Sequence, residues 1–236
     1  MDLAPVIRRS AVQAVFDQLH AQILQGDLSP GDALPPERTL TATFAVNRQA
    51  VREALSRLAQ IGLIEVRHGG ATTVRDFRQS GGLDLLPHLV VRADGSLDLT
   101  VVRSIMEMRA AIGPDVARLA AERALPAHVA ELAQISRAVE AADTLDALAA
   151  HDVRFWDVLT TAADNLAYQL ALNSLRAFYR PVDRAIHEVM RAELEDAAGH
   201  TAVAAAVARC DAPEAEAAAR RLLATGTLAI TEAFER

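Results

Sequence analysis

The stretch from Leu34 to Arg75, LPPERTLTATFAVNRQAVREALSRLAQIGLIEVRHGGATTVR, constrains the fold of this chain more than any other. Pro35-Pro36 open a short helix, because proline is tolerated where the first N–H groups have no intrahelical acceptor. Leu40 and Phe44 form its inward pair. Asn47 is a suitable N-cap for the next helix, with Val51, Leu55 and Leu58 on one inward face and Gly62 as its stop. Ile64 and Val66 then alternate with Glu65 and Arg67, the period of a strand. Thr73 and Val74 make a return strand after a His68-Gly69-Gly70 tip. Two short helices and a glycine-tipped hairpin are the parts needed to lay a helix in a DNA groove with a β-wing beside it.

The residues before this stretch supply a third helix. Val12, Val15, Phe16, Leu19 and Ile23 fall on one helical face, with Ser10 as N-cap and Gly26 as C-terminal stop. The order helix, helix, helix, hairpin predicts a winged helix-turn-helix over residues 1–78. On its third helix, Arg48, Gln49 and Arg52 point away from the core near the N-terminus, where a recognition helix meets base edges. Arginine reads guanine O6 and N7, and glutamine reads adenine N6 and N7. Arg38, at the start of the preceding helix, is placed to hold a phosphate.

A net charge of −7 argues against DNA binding until its distribution is examined. Residues 34–75 carry six basic side chains against three acidic, whereas residues 79–236 carry fifteen against twenty-three. All 24 cations are arginine, whose planar fork suits phosphate and guanine. Hydrophobic residues make up 51% of the chain, yet no apolar run approaches the roughly 18 residues of a membrane span. The first residues lack an apolar signal region, and the single Cys210 permits no internal disulfide, so a cytoplasmic location is expected.

FRQSGG, residues 77–82, reads as a hinge, and residues 79–97 as a linker with a first short helix. Beyond it no strand pattern emerges. Ile105, Met108, Ile112, Val116 and Leu119 form a helical stripe, and Gly113-Pro114 should kink that helix or start a new one. Pro126, Asp143-Thr144, Asp164-Asn165, Pro181, Gly199 and Pro213 punctuate the rest. Residues 98–236 are therefore expected to form an antiparallel bundle of six to seven helices, making the fold mainly α. No nucleophile–base set or glycine-rich phosphate loop is present, so catalysis is not expected.

PGDALPPERTL, VNRQAVREALSRLAQIGLIEVRHGG and VRDF together resemble the winged helix of the GntR family of bacterial transcription regulators, over about residues 10–77. The resemblance implies that Arg38, Asn47, Arg48, Gln49, Arg52, His68 and Gly69 occupy DNA-contact positions. It also implies a homodimer on a palindromic operator, with the wing tip in the minor groove. IMEMRAAIGPDVARLAAERA, HDVRFWDVLTTAADN and GHTAVAAAVARCDAPEAEAAARRLL resemble the helical effector domain of the FadR subfamily.

Many domains of that class hold a divalent metal with one Asp and three His. Asp152 and His200 match two of the four positions, while Trp156 and Leu222 hold the other two. The resemblance thus implies no cofactor, with half a metal set remaining. Acyl-CoA-responsive members share the loss and carry an aromatic residue at the Trp156 position. FRQSGGLDLLPHL and NLAYQLALNSLRAFY extend that likeness. It implies a long-chain acyl-CoA or fatty acid effector, met by Arg109, Trp156 and Tyr179, with Asp152 and His200 nearby. The alternative is a regulator sensing a small carboxylate through a metal.

Overall fold

The computed structural model describes residues 10–66, 71–92, 95–179 and 187–234, with side chains from 177 to 179 and from 227 onward outside the description. The expected wing-tip residues His68 and Gly69 lie outside it. The chain divides into two units, the first running to Leu85 and taking in Arg92–Ser96, the second comprising Leu86–Val91 and the chain from Leu97 onward.

In the first unit, α1 spans Ala11–Gln25. Ser10 caps it by accepting from Gln13 N, and Gly26 closes it at φ 84°. Helix α2 spans Glu37–Phe44 and α3 spans Arg48–Gln60. The turn between them bends through Ala45 at φ 51°, a left-handed conformation that a non-glycine residue adopts at a cost. Val15, Phe16, Leu19 and Ile23 of α1 are buried with Leu40 of α2 and Val51, Ala54, Leu55 and Leu58 of α3. Phe44 is only half-buried.

Strands β1 (Ile64–Val66) and β2 (Thr72–Val74) pair antiparallel, with Ile64 opposite Val74 and Val66 opposite Thr72. The segment after Ser29-Pro30 supplies a further edge that sequence reasoning took for a turn. Gly31 N donates to Val74 O at 2.9 Å, Leu34 N to Thr72 O at 2.8 Å, and Val74 N to Asp32 O at 2.9 Å. The wing is therefore anchored on both sides of β2. The segment expected to be a hinge holds a helical turn, α4 (Phe77–Ser80), whose cap Asp76 accepts from Arg78 N.

In the second unit a short helix, α5 (Leu86–Leu89), precedes a bundle. Its helices are α6 (Leu99–Arg123), α7 (Pro126–Glu140), α8 (Leu145–Ala162), α9 (Leu166–Tyr179), α10 (Arg191–Leu194), α11 (Ala197–Ala208) and α12 (Ala212–Phe234). Caps follow polar sequence signals. Asp98 accepts from Thr100 N and Val101 N, Thr144 from Ala147 N, and Asp196 from Gly199 N. Helices α6 and α12 form the most extensive pair, and α11 packs on α12 and α7. Small side chains allow that approach, with Ala204 and Ala206 of α11 and Ala215, Ala218 and Ala219 of α12 all buried.

Of the two alternatives read from Gly113-Pro114, a new helix is excluded, because α6 runs through both residues. Proline removes one backbone hydrogen bond and crowds the preceding turn. Both residues are buried inside the bundle, and flanking burial of Arg109, Val116 and Ala117 holds the helix together across them.

Candidate DNA interface and effector site

Helix α3 presents one face to the core and the opposite face to solvent. Arg48, Gln49 and Arg52 are all exposed on its first turns. Asn47 has a structural task as well: its side chain accepts from Ala50 N at 2.8 Å and fixes where α3 begins. Arg38 is exposed at the second residue of α2. The first turn of α2 therefore stands beside the first turn of α3, and Glu37 joins them through ion pairs to Arg48 and Arg52. Arg38, Asn47, Arg48, Gln49 and Arg52 form a surface of exposed donors and of backbone N–H groups at two helix starts.

In the bundle, α6, α8, α9 and α12 enclose a pocket with about 560 Å³ of empty space, counting the part open to solvent. Its walls are mostly apolar, including Ile112, Val116, Trp156, Leu172, Leu175 and Leu223. Arg109, Asp152, Thr160 and Arg176 add polar groups. Trp156 both lines the pocket and is buried. Tyr179 lies on α9, but its side chain is outside the described residues.

Arg109 is occupied from within. Its Nη2 donates to Glu193 Oε1 at 2.6 Å, with Arg109 8% and Glu193 0% exposed. Burial pushes the Glu193 carboxyl up to about 7, although the Arg109 charge pulls the other way. Its second oxygen, Oε2, has no hydrogen-bond partner. Glu193 was not foreseen as part of this site.

Asp152 Oδ1 takes two donors, Trp156 Nε1 at 3.1 Å and His200 Nε2 at 3.1 Å. His200 is fully buried, its ring edge-on to Phe155 and its Nδ1 2.8 Å from Asp196 O. Both ring nitrogens thus face oxygen acceptors, an arrangement that suits the doubly protonated ring. Burial opposes that charge, but the hydrogen bond and charge of Asp152, the Asp196 carbonyl and the Glu193 charge outweigh it, so the His200 pKa is raised.

These residues do not fit a divalent ion. A metal needs lone pairs, and the Asp152 oxygen facing His200 already accepts two hydrogen bonds. Trp156 contributes a donor where a ligand must accept, and Leu222 contributes only methyl groups, fully buried. A proton on His200 and an indole N–H occupy the chemistry that a cation would otherwise supply.

Arg176 was also not foreseen. It lines the pocket from α9 and pairs through Nη2 with Asp157, while its Nε is buried without an acceptor. Burial, followed by the positive charge of Arg154, lowers its pKa.

A winged helix with exposed arginines on its third helix, joined in one chain to a helical domain with an apolar pocket, is the architecture of a DNA-binding regulator with a ligand-binding domain. Residues 11–74 match the family model for bacterial regulatory proteins of the gntR family, and residues 104–225 match the FCD domain. The chain belongs to the GntR family of transcriptional regulators and is not an enzyme. It is 44% identical over 224 residues to the HTH-type transcriptional regulator Mce2R of Mycobacterium tuberculosis, covering 94% of this chain and 92% of that protein. It is 36% identical over 155 residues to the fatty acid metabolism regulator protein of Edwardsiella ictaluri, covering 66% and 63%. Among solved structures, a Listeria monocytogenes regulator titled as controlling the agr system aligns with TM-score 0.60 at 15% identity, over 96% and 99% of the two chains. That likeness concerns the fold alone. Among the described residues, no helix is long and apolar enough to cross a membrane.

Proposed function

We propose that this regulator binds a palindromic operator as a cytoplasmic homodimer and answers to a long-chain acyl-CoA or fatty acid. The observation that carries the effector class is the pocket itself. Its wall is apolar around Trp156, and at one side Arg176 offers a buried donor with no acceptor. An acyl chain suits the first feature and an anionic headgroup the second. The printed name of the Edwardsiella relative, a fatty acid metabolism regulator, supports the same class. Arg176 takes the headgroup role in this reading, because Arg109 already serves Glu193. A metal-assisted small-carboxylate sensor is disfavoured by the donors crowded onto Asp152.

On DNA, α3 enters the major groove and Arg48, Gln49 and Arg52 read bases, while Arg38 holds a phosphate and the His68-Gly69 tip follows the minor groove. The test is a gel shift of the full-length protein with the DNA upstream of its own gene. It is repeated with long-chain acyl-CoA and with small carboxylates. Release or strengthening by acyl-CoA alone supports the reading. A response to a small carboxylate alone overturns the effector class. Arg48→Ala and Arg52→Ala should each abolish the specific shift, and unchanged affinity in both refutes the recognition-helix assignment.

A further inference from the structure

One carboxylate joins the two helix starts of the DNA-binding unit. Glu37, the first residue of α2, is half-buried. Its Oε2 accepts from Arg48 Nε at 3.0 Å, and its Oε1 lies 3.7 Å from Arg52 Nε. The two arginine side chains are otherwise open to solvent, at 74% and 68% exposure. Exposed ion pairs add little to stability and are screened by salt, so stability does not explain one carboxylate serving two arginines.

The geometry offers a different explanation. Both contacts use Nε, which leaves the terminal Nη groups of each guanidinium for another acceptor. Among the described residues, neither side chain has one. Guanine recognition requires two parallel N–H donors aimed at O6 and N7. Arg48, hydrogen-bonded at Nε, and Arg52, drawn by charge to the same carboxylate, have surrendered part of their rotamer freedom before DNA arrives, which lowers the cost of ordering them on binding. Arg48 and Arg52 also stand four residues apart on one helix face, where like charges repel. A carboxylate shared between them offsets that repulsion.

We infer that Glu37 is a specificity-determining positioning residue, holding Arg48 and Arg52 with their Nη donors presented to guanine edges. The inference rests on the reading of α3 as the recognition helix. It has a signature that a merely structural role lacks. Glu37 sets the arginines for base contacts, yet its own negative charge repels phosphate. Removing the charge should weaken binding to the correct sequence and strengthen binding to any other.

The experiment uses full-length protein and a duplex selected by the wild type from a randomised pool, with a scrambled duplex of equal length as control. Binding of both is followed by fluorescence anisotropy at several salt concentrations for Glu37→Gln and Glu37→Ala. The specific-to-non-specific affinity ratio should fall about tenfold in both variants, within the range expected for loss of one good bidentate base contact. An unchanged ratio overturns the inference, including the case where both affinities rise together as a pure charge effect. Arg48→Ala and Arg52→Ala separate the two layers. If they collapse the ratio and the Glu37 variants do not, the Glu37 role alone is wrong. If they leave it intact, the recognition-helix reading fails as well.

Discussion

Replacing Arg109 with leucine would strand a buried carboxylate, and the pair's geometry sets the size of the effect. Arg109 and Glu193 are 2.6 Å apart, with Glu193 fully buried. At an effective dielectric of about 20, their gross attraction is about 6 kcal/mol. Desolvation of both groups offsets part of this, and removing one partner of a buried pair costs about 3–5 kcal/mol. That loss is expected at pH 8.

The dependence on pH has a definite sign. Glu193 already sits at about 7 with Arg109 beside it, and loses a stabilising charge in the variant. Asp152 pushes the same way, and His200 against it. A carboxyl whose folded pKa lies above its ordinary 4.5 keeps its proton in the folded chain after the unfolded chain has released it. Its contribution to stability is therefore complete below 4.5 and is lost as pH rises through the folded value. The Arg109→Leu penalty should be smaller at pH 5 than at pH 8. Arg109→Leu with Glu193→Leu should recover most of the loss, because no charge is left buried. Urea unfolding followed by the fluorescence of Trp156, the chain's 1 tryptophan and a residue of the same domain, reads all of this. A penalty below about 1 kcal/mol at pH 8, or a double variant no better than the single, refutes the reasoning.

Three further outcomes follow from the same packing. Gly226→Ala places a Cβ 2.2 Å from Oε2 of Glu193, a carboxylate whose other oxygen is held by Arg109, and should cost about 1–3 kcal/mol in the same urea assay. Gly113→Ala meets the end of Leu223 at 2.3 Å and Trp156 at 3.4 Å. Leu223 can rotate, so melting should change little while acyl-CoA affinity measured by calorimetry falls, since Gly113 and Leu223 both line the pocket. Trp156→Phe removes the indole donor from buried Asp152 and should cost about 1–3 kcal/mol in a thermal melt followed by circular dichroism.

The winged helix was legible because its signals are local. Ser10, Gly26 and Asn47 act within four residues of where the sequence places them, and each performs the expected capping. The wing's third edge at Gly31–Leu34 was not legible, because Ser29-Pro30-Gly31 gives a turn signal but no information about pairing with β2. The effector domain yielded its helices but not its interior chemistry. Glu193 lies in RAELED, which reads as a solvated turn, and its partner Arg109 is 84 positions away. An inward arginine on an apolar stripe needs a buried partner, but local spacing does not say where in the chain that partner lies. Arg176 likewise reads as an ordinary cation late in a helix until folding sets it against Asp157 and the pocket. Pro114 left a new helix open as an alternative because proline costs about 3 kcal/mol in an isolated helix, and tertiary burial carries α6 through it.

The central claim is that ligand binding beside Trp156 governs DNA binding by α3. It is tested most directly by titrating long-chain acyl-CoA into the full-length protein bound to its fluorescently labelled upstream DNA. Trp156 emission and DNA anisotropy are recorded in the same cuvette. The account predicts that both signals change over the same acyl-CoA concentrations. A change in DNA binding with no response from Trp156, or saturation of Trp156 with DNA binding unaltered, would contradict it.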